Sequence, residues 1–298
     1  MKERSYHGQP IVAKPVWTWE VPAYFFTGGL AAGASMLAAG AAATGNASLA
    51  RRARVVAAVG AATGTALLVS DLGRPTRFHH MLRVAKPTSP MSVGSWTLAA
   101  FATSAAVAAG ADLTGVGRRL GRAAGALAAG LAPVLATYPA VLVEDTAVPV
   151  WHEAHRELPF VFAGGALASA GAVGAMLETV DAGRPARRMA LLGAVLESVA
   201  TRRMERALPE PVAQPYKTGR SAILGKAAQG CTAAGAAMLA LRGRRRRGAI
   251  AGGAMILAGA ALARFAVVEA GRSSSRDPKQ VIVPQRARVS AEAGADGS

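Results

Sequence analysis

The sequence predicts an all-α protein, a polytopic membrane helical bundle of about eight transmembrane helices. Hydrophobic residues make up 52% of the 298 residues and charged residues only 17%, whereas soluble proteins average roughly 25% charged residues. The apolar residues stand in charge-free runs, and a helix needs about 20 such residues to cross a hydrocarbon core of roughly 30 Å. Glycine and alanine are frequent in these runs, as in the pairs Gly29/Gly33 and Gly60/Gly64, which allows close helix packing.

Eight candidate spans follow from the runs in chain order. Four are long and free of charge: residues 21–50, 87–111, 123–143 and 158–177. Three are shorter, at 55–70, 227–241 and 248–263, and have flanking Arg or Lys residues that can reach the interface. The remaining one, residues 189–200, contains Glu197 and stands between arginine pairs. It is either the sixth span or a helix lying in the membrane interface.

The ends of the chain differ from its body. We expect an N-terminal arm at residues 1–18, the helical bundle at 19–270 and a flexible C-terminal tail at 271–298. The arm is charged, and the apolar run behind it is too long for the core of a signal peptide. The first span is therefore expected to be retained, in a multi-pass protein of the cell membrane.

Basic residues predict the orientation. The loops near 44–54, 112–122, 181–188 and 242–247 hold 14 Lys/Arg and 2 acidic residues in 36 positions. The other side holds 18 Lys/Arg and 12 acidic residues in 101 positions. The density of basic residues in short loops places the first set in the cytoplasm and both termini outside. The raw numbers of basic residues favour the opposite orientation.

Composition excludes several classes of protein. The apolar content is too high for a disordered chain. Cys231 is the only cysteine, which excludes a disulfide scaffold and an iron–sulfur cluster held by this chain, because a cluster needs about four thiolates. A soluble nucleic-acid-binding protein would share the net charge of +17 but not the charge-free runs.

The positions of the histidines predict neither a haem site nor a metal site. All five lie in loops or at span ends, whereas a bis-histidine haem needs two imidazoles that face each other inside the bundle. His152 and His155 are three residues apart, and the His-Glu-x-x-His zinc pattern needs four. The five are His7, His79, His80, His152 and His155.

Polar residues gather near one predicted membrane face. Glu20 and Tyr24 are four residues apart and share one side of the first helix. Tyr138 precedes Pro139, which would kink the fourth helix and free a backbone carbonyl. Three purely structural alternatives to a functional role stay open: an interfacial tyrosine, an interfacial belt at Trp17 and Trp19, and an Asp–Arg salt bridge that ends a helix. The whole set is Glu20, Tyr24, Asp71, Arg74, Tyr138, Glu144, Asp145, His152 and Glu153.

Several ordered motifs resemble the NrfD/PsrC family, the membrane subunits of polysulfide-reductase-like and formate-dehydrogenase-like complexes. They are WTWEVPAYFFTGGLAAG at residues 17–33, DLGRPTRF at 71–78 and SPMSVGSW at 89–96. The segments PVWHEA at 149–154 and ELPF at 157–160 fit the family's connection between the fourth and fifth spans. The resemblance covers residues 17–178, and beyond them mostly the number of spans agrees.

This resemblance implies eight spans, no haem and a site for menaquinone or ubiquinone. It also implies two partners, an iron–sulfur ferredoxin-like subunit and a molybdopterin catalytic subunit, with the quinone site on the side where the former docks. In the family, a tyrosine on the fourth span and polar residues at the start of the first span contact the quinone headgroup. Tyr138 matches that tyrosine. Tyr24 stands where some relatives have a histidine, and Glu20 is the alternative contact to the headgroup. The implied function is electron exchange between the iron–sulfur partner and membrane quinone, so that the chain alone does not turn over the soluble substrate.

Quinone exchange moves two electrons and two protons, and therefore needs hydrogen-bond donors and a proton supply. Tyr138 and His152 are candidate hydrogen-bond partners, with Asp71, Glu144 and Asp145 as proton carriers and Arg74 as support. Glu178, Glu197, Lys226 and Arg264 are further proton-path candidates, with interfacial anchoring as the alternative. The competing functions are a structural or proton-conducting subunit without quinone chemistry and a small-solute transporter. A transporter should show inverted repeats with broken helices, and no such pair is visible.

Overall fold

The computed structural model describes residues 11–13 and 15–283, and their regular structure is helical throughout. This confirms the predicted all-α class. Three short helical segments connect longer helices: a 3-10 helix at Pro75–Leu82, α5 at Pro149–His152 and α8 at Gln214–Lys217. The long helices are α1 Glu20–Ala43, α2 Ala47–Asp71, α3 Pro90–Thr114, α4 Arg118–Glu144, α6 Leu158–Leu177, α7 Arg184–Ala207, α9 Gly219–Arg242 and α10 Arg246–Ser274.

Local sequence sets the helix ends. The Asn46 side chain accepts a hydrogen bond from the Leu49 amide at 3.2 Å and caps α2. This cap corrects the first predicted span, since residues 21–50 contain the end of α1, a turn and the first residues of α2. Ser89 caps α3 in the same way, ahead of Pro90, and α3 ends at Gly115 with φ of 74°.

Six of the long helices are long and apolar enough to cross a membrane, and α7 and α9 fall short by composition. The less apolar α7 nevertheless packs along the length of α6. A Cβ at Gly164 would lie 2.8 Å from the Glu197 Cα, and a Cβ at Gly174 would lie 2.8 Å from the Ala186 Cβ. The sixth predicted span is thus a helix of the bundle, which favours a transmembrane span over a separate helix in the membrane interface.

The predicted tail begins too early. α10 runs four residues past residue 270, and Ser274 and Ser275 are buried. Ser274 also accepts a hydrogen bond from the Val150 amide at 3.3 Å, which ties the end of α10 to α5. Residues 1–10 and 14 of the predicted arm, with His7, and residues 284–298 of the tail lie outside the described residues.

The connections divide the bundle into two ends. We call the end where α1 begins the tyrosine face; it includes the segments 15–19, 72–89, 145–157 and 208–218. We call the other end the arginine face; it comprises the turns 44–46, 115–117, 178–183 and 243–245 and the adjacent helix ends. All 14 basic residues of the dense loops are arginines of this second face.

The core lies where α1, α4, α6 and α10 meet, and small residues let the helices approach. A Cβ at Gly33 of α1 would lie 2.8 Å from the Ala170 Cβ of α6. A Cβ at Gly60 of α2 would lie 3.1 Å from the Ala31 Cβ of α1. The glycine pairs of the sequence therefore serve helix packing, as predicted.

Gly171→Val should destabilise the bundle by about 1–3 kcal/mol, the usual cost of overpacking. A Cβ at this position would lie 2.6 Å from the Ala186 carbonyl oxygen and 2.7 Å from the Ala190 Cα, so the backbone of α7 would have to move. Gly130→Val is the matched control, because a Cβ there meets nothing within 4 Å. Thermal unfolding in detergent measures both. Equal effects would show that the close α6–α7 contact is not needed.

Candidate functional site

Two tyrosines meet inside the bundle near the tyrosine face. Tyr24 of α1 and Tyr138 of α4 are 1% and 7% exposed, and their hydroxyl groups are hydrogen-bonded to each other. Tyr24 lies four residues into α1, about 6 Å from its start, and Tyr138 lies six residues from the end of α4, about 9 Å. The structure thus brings together two of the four residues predicted to contact quinone.

Glycines make the space for this tyrosine pair. A Cβ at Gly94 of α3 would lie 2.6 Å from the Tyr138 Cδ2, so no larger residue fits there without moving the ring. A Cβ at Gly64 of α2 would lie 3.2 Å from the Tyr24 Cδ2, and one at Gly28 would lie 3.4 Å from the Tyr24 Cε2. Both rings are therefore held between helix backbones.

Tyr138 also lines an open groove between the start of α3 and the second half of α4. The groove leaves about 440 Å³ for water-sized molecules. Val93, Val134 and Val141 on its walls are exposed on the outside of the bundle, where lipid would lie. The other lining residues are Pro87, Thr88, Pro90, Pro133 and Thr137.

The hydrogen-bonded pair can offer one proton to a ligand. Each phenol has one O–H donor, and the contact between the two hydroxyls uses only one of them. Because Tyr138 faces the groove, Tyr24 can donate to Tyr138 while Tyr138 donates outward. A hydrogen bond received in this way strengthens the one that is donated. The pair is thus suited to bind an acceptor, such as a carbonyl oxygen, in an apolar groove.

Glu20 and Asp71 lie one helical turn closer to the tyrosine face. The Thr18 hydroxyl donates to the Asp71 Oδ1 at 2.9 Å and also contacts the Glu20 carboxylate. One hydroxyl proton serves one carboxylate at a time, so Thr18 can donate to either of them. These two predicted residues therefore share one hydroxyl partner next to the Tyr24 end of α1.

The structure does not join the other predicted site residues to the tyrosine pair. Arg74 is exposed just before the 3-10 helix, and Asp145 is exposed at the end of α4. His152 is exposed as well, and its Nδ1 lies 3.2 Å from the Glu144 carbonyl oxygen, beyond the end of α4. Glu144 keeps one buried carboxylate oxygen without a hydrogen-bond partner among the described residues.

An aromatic cluster ties the tyrosine face together. Trp17 stacks on Trp151 of α5, with ring centroids 5.3 Å apart, and meets Phe25 edge-on. The Trp151 Nε1 donates to the Val267 carbonyl of α10 at 2.8 Å. The predicted interfacial belt thus holds only in part. Trp19 is 61% exposed at the helix start, whereas Trp17 packs inside the protein.

Sequence reasoning missed the structural roles of Gly94 and Trp151. Both lie inside the quoted motifs, at residues 89–96 and 149–154, so the motifs did contain the signal. The periodicity of an apolar helix gives no sign of which glycine faces a ring. Burial of Trp151 depends on the distant Gly271, where a Cβ would overlap the Trp151 ring and lie 2.6 Å from its Cη2.

Gly94→Ala should displace the Tyr138 ring and lower the stability of the protein. The expected loss is about 1–3 kcal/mol, as for other overpacked positions. Gly110→Ala is the control on the same helix, because a Cβ there meets nothing within 4 Å. It should be neutral or stabilising by up to about 1 kcal/mol, since alanine favours helix. Thermal unfolding and near-ultraviolet circular dichroism of the tyrosines measure both; a stabilised Gly94→Ala would contradict the tight contact.

A comparison with known protein families supports the resemblance that the motifs indicate. A family model described as "Polysulphide reductase, NrfD" matches residues 6–136. The match takes in α1, α2, α3 and most of α4; Tyr24, Asp71 and Gly94 lie inside it, and Tyr138 lies two residues beyond. No curated protein matches the chain. Residues 6–136 of this chain are thus similar to the NrfD family of polysulphide reductases, which supports the family that the motifs predict.

Proposed function

We propose that this chain exchanges electrons and protons with membrane quinone, as the membrane subunit of an oxidoreductase complex. The observation that carries the proposal is the hydrogen-bonded Tyr24–Tyr138 pair, of which Tyr138 lines an apolar groove. Similarity to the NrfD family supports the coarser statement, a membrane subunit of a polysulfide-reductase-like complex.

The groove suits the chemistry of a quinone. A quinone is a flat apolar ring with two carbonyl acceptors and a lipid-soluble tail. Apolar walls with few polar groups are typical of small-molecule sites. Here proline and valine residues supply the walls, and the Tyr138 hydroxyl supplies a donor. The opening between α3 and α4 lets a tail extend into the lipid. Menaquinone and ubiquinone both meet these requirements.

The residues around the groove also suit proton transfer. Reduction of a quinone adds two electrons and two protons, and its carbonyl oxygens gain negative charge as the electrons arrive. A positioned donor stabilises that charge. Tyr138 offers a proton at the groove, Tyr24 is hydrogen-bonded behind it, and Glu20 and Asp71 are candidate proton carriers one turn closer to the water. Oxidation of the quinol would use the same groups in reverse.

The electrons must come from or go to another chain, because the single cysteine cannot hold an iron–sulfur cluster. We place an iron–sulfur ferredoxin-like subunit on the tyrosine face, with a molybdopterin catalytic subunit beyond it, in a formate-dehydrogenase-like or polysulfide-reductase-like complex. None of the residues of the 3-10 helix is buried, and Phe78 and Val84 are exposed apolar side chains on this face. Exposed apolar groups of this kind favour a covering partner.

Tyr138→Phe in the assembled complex should lower the kcat/KM for quinone about tenfold, because loss of a hydrogen bond costs about 1–1.5 kcal/mol. Tyr24→Phe should have a smaller effect, since Tyr138 keeps its own proton. Quinone-coupled turnover in isolated membranes measures both variants.

Thr103→Val is the matched control, because it removes an exposed hydroxyl from α3 away from the groove. Activity of the soluble partner with an artificial electron acceptor should not change in any of these variants, which shows that the complex is assembled. Full quinone turnover in Tyr138→Phe would instead favour a structural or proton-conducting subunit.

We also propose that the protein resides in the plasma membrane with its arginine face in the cytoplasm, since basic short loops stay inside. Val16→Cys on the tyrosine face and Val116→Cys on the arginine face test this in a Cys231→Ser background. Both valines are exposed, the chemical change is the same, and Val16 lies outside the segment around the 3-10 helix that we assign to the partner. A membrane-impermeant maleimide should label intact cells only through the Val16→Cys thiol. The reverse pattern would invert the orientation.

A further inference from the structure

A second polar cavity lies between α7, α9 and α10, apart from the tyrosine pair. It leaves about 40 Å³ for water-sized molecules, enough for a few waters, and half of its lining residues are apolar. Its polar lining residues are Glu197, Ser198, Thr201, Glu205, Tyr216 and Gln229, with Thr232. A cavity that mixes buried ionisable groups with apolar walls needs an explanation in a membrane protein.

Glu197 is the most unusual of these residues. It is 5% exposed, and neither carboxylate oxygen has a hydrogen-bond partner among the described residues. The nearest cation is Arg264 of α10, whose Nη1 lies 3.7 Å from the Glu197 Oε1, too far for a hydrogen bond. A buried carboxylate without hydrogen bonds is unfavourable, so this site calls for water or a proton.

Arg264 is held by other groups. Its Nη2 donates to the Phe162 carbonyl at 3.0 Å, and its guanidinium carbon lies 4.2 Å from the centre of the Phe162 ring. Both contacts belong to α6 and are independent of Glu197. The Glu197 carboxyl group can therefore gain a proton while the arginine stays in place.

The pair lies near the middle of the membrane. Glu197 is ten residues before the end of α7, and Arg264 is ten residues before the end of α10. At 1.5 Å per residue, each is about 15 Å from the tyrosine face, half of a roughly 30 Å core. A proton that reaches Glu197 would thus have crossed half of the membrane.

Polar residues lead from the tyrosine face to this depth. Glu197, Thr201 and Glu205 are spaced by four along α7 and form one stripe, with steps of about 6 Å. Gln229 of α9 donates to Glu205 at 2.9 Å. Tyr216 of α8 has a buried hydroxyl without a partner in the described part of the chain. Burial and the nearby Glu205 charge raise the pKa of Tyr216, so this phenol remains a donor.

The helices pack closely on the side of the cavity that points towards the arginine face. A Cβ at Gly193, one turn from Glu197 towards the arginine face, would lie 2.8 Å from the Ala168 Cα of α6. A Cβ at Gly235 of α9 would lie 2.8 Å from the Ile256 amide of α10. Backbones this close leave no room for water between α6 and α7 or between α9 and α10 at this level.

We propose that the α7–α9–α10 cavity holds water and that Glu197 exchanges a proton through it with the tyrosine face alone. The proton leaves a water or hydronium oxygen and bonds to the Glu197 carboxylate, and no electron moves. The titratable and charged groups that face this path are Glu205 of α7, Tyr216 of α8 and Arg264 of α10. The exposed Arg202 also interacts electrostatically with Glu205, but it does not line the cavity. The proposal does not depend on the quinone chemistry proposed above.

An apolar carbodiimide tests whether Glu197 becomes protonated. The reagent takes the proton of a carboxylic acid, its carbon bonds to the carboxyl oxygen, and rearrangement leaves a stable N-acylurea. We would treat membranes that contain the full chain with dicyclohexylcarbodiimide over a range of pH and map adducts by peptide mass spectrometry. Glu197 should be labelled, and labelling should fall about tenfold per pH unit above its midpoint.

Glu178 is the matched control. It is 3% exposed, but it pairs with Arg52 at 3.3 Å and accepts from the Ser48 hydroxyl at 2.8 Å, so it should stay unlabelled. Glu197→Gln should remove the adduct. An unlabelled Glu197 at every pH, in protein that remains folded, would mean a permanent ion pair and would overturn the proposal.

A separate experiment tests whether the cavity is accessible from one face only. In a Cys231→Ser background, the Thr201→Cys thiol should react with a small charged thiol reagent added at the tyrosine face and not at the arginine face. Gly225→Leu should suppress this reaction, because Gly225 lines the cavity and has open space for a side chain. Gly230→Leu, also in open space on α9 but outside the cavity lining, should not. Reaction from the arginine face, or no reaction from either, would refute the one-sided path.

Discussion

The close approach of α6 to its neighbours is the constraint on which both polar sites depend. Helices in lipid gain little from burying apolar side chains, so their contact relies on close packing and on satisfied polar groups. Gly164, Gly171 and Gly174 let α7 lie directly on α6, and Gly165 leaves space where the Arg264 guanidinium carbon lies 3.1 Å from a Cβ position. Larger residues would separate the helices and leave the buried charges facing lipid, where they are strongly disfavoured.

The bundle has a clear polarity along the membrane normal. The tyrosine pair, the Glu20–Asp71 cluster and the proposed water cavity are all reached from one end. At the other end, 14 arginines surround tight glycine–alanine contacts, and the buried Glu178 is satisfied by Arg52 and Ser48. Groups that could carry protons therefore gather towards one side, whereas the opposite side is rich in arginine.

The sequence predicted the helical class and most span positions, because charge-free length reports on these directly. It placed Tyr24 and Tyr138 near one membrane face, but their direct hydrogen bond is visible only in the structure. It misjudged the helix boundary near Ala43, since an apolar turn resembles an apolar helix until the Asn46 cap is recognised. It also grouped His152 and Arg74 with the tyrosines, because position at one face cannot tell an exposed loop from a buried site. The loose Glu197–Arg264 pair joins residues 67 positions apart on helices α7 and α10, and no local pattern gives such a distance.

The position of Trp151 has a consequence for biogenesis. Its indole is fixed by the Val267 carbonyl, its ring lies against Gly271, and Arg272 of the same last helix donates to the Trp17 carbonyl. A growing chain carries Trp17 and Trp151 into the membrane long before α10 leaves the ribosome. The surface at this end is therefore finished only when the last helix arrives and locks the earlier segments in place. A partner subunit that recognises this surface would therefore bind completed chains in preference to unfinished ones.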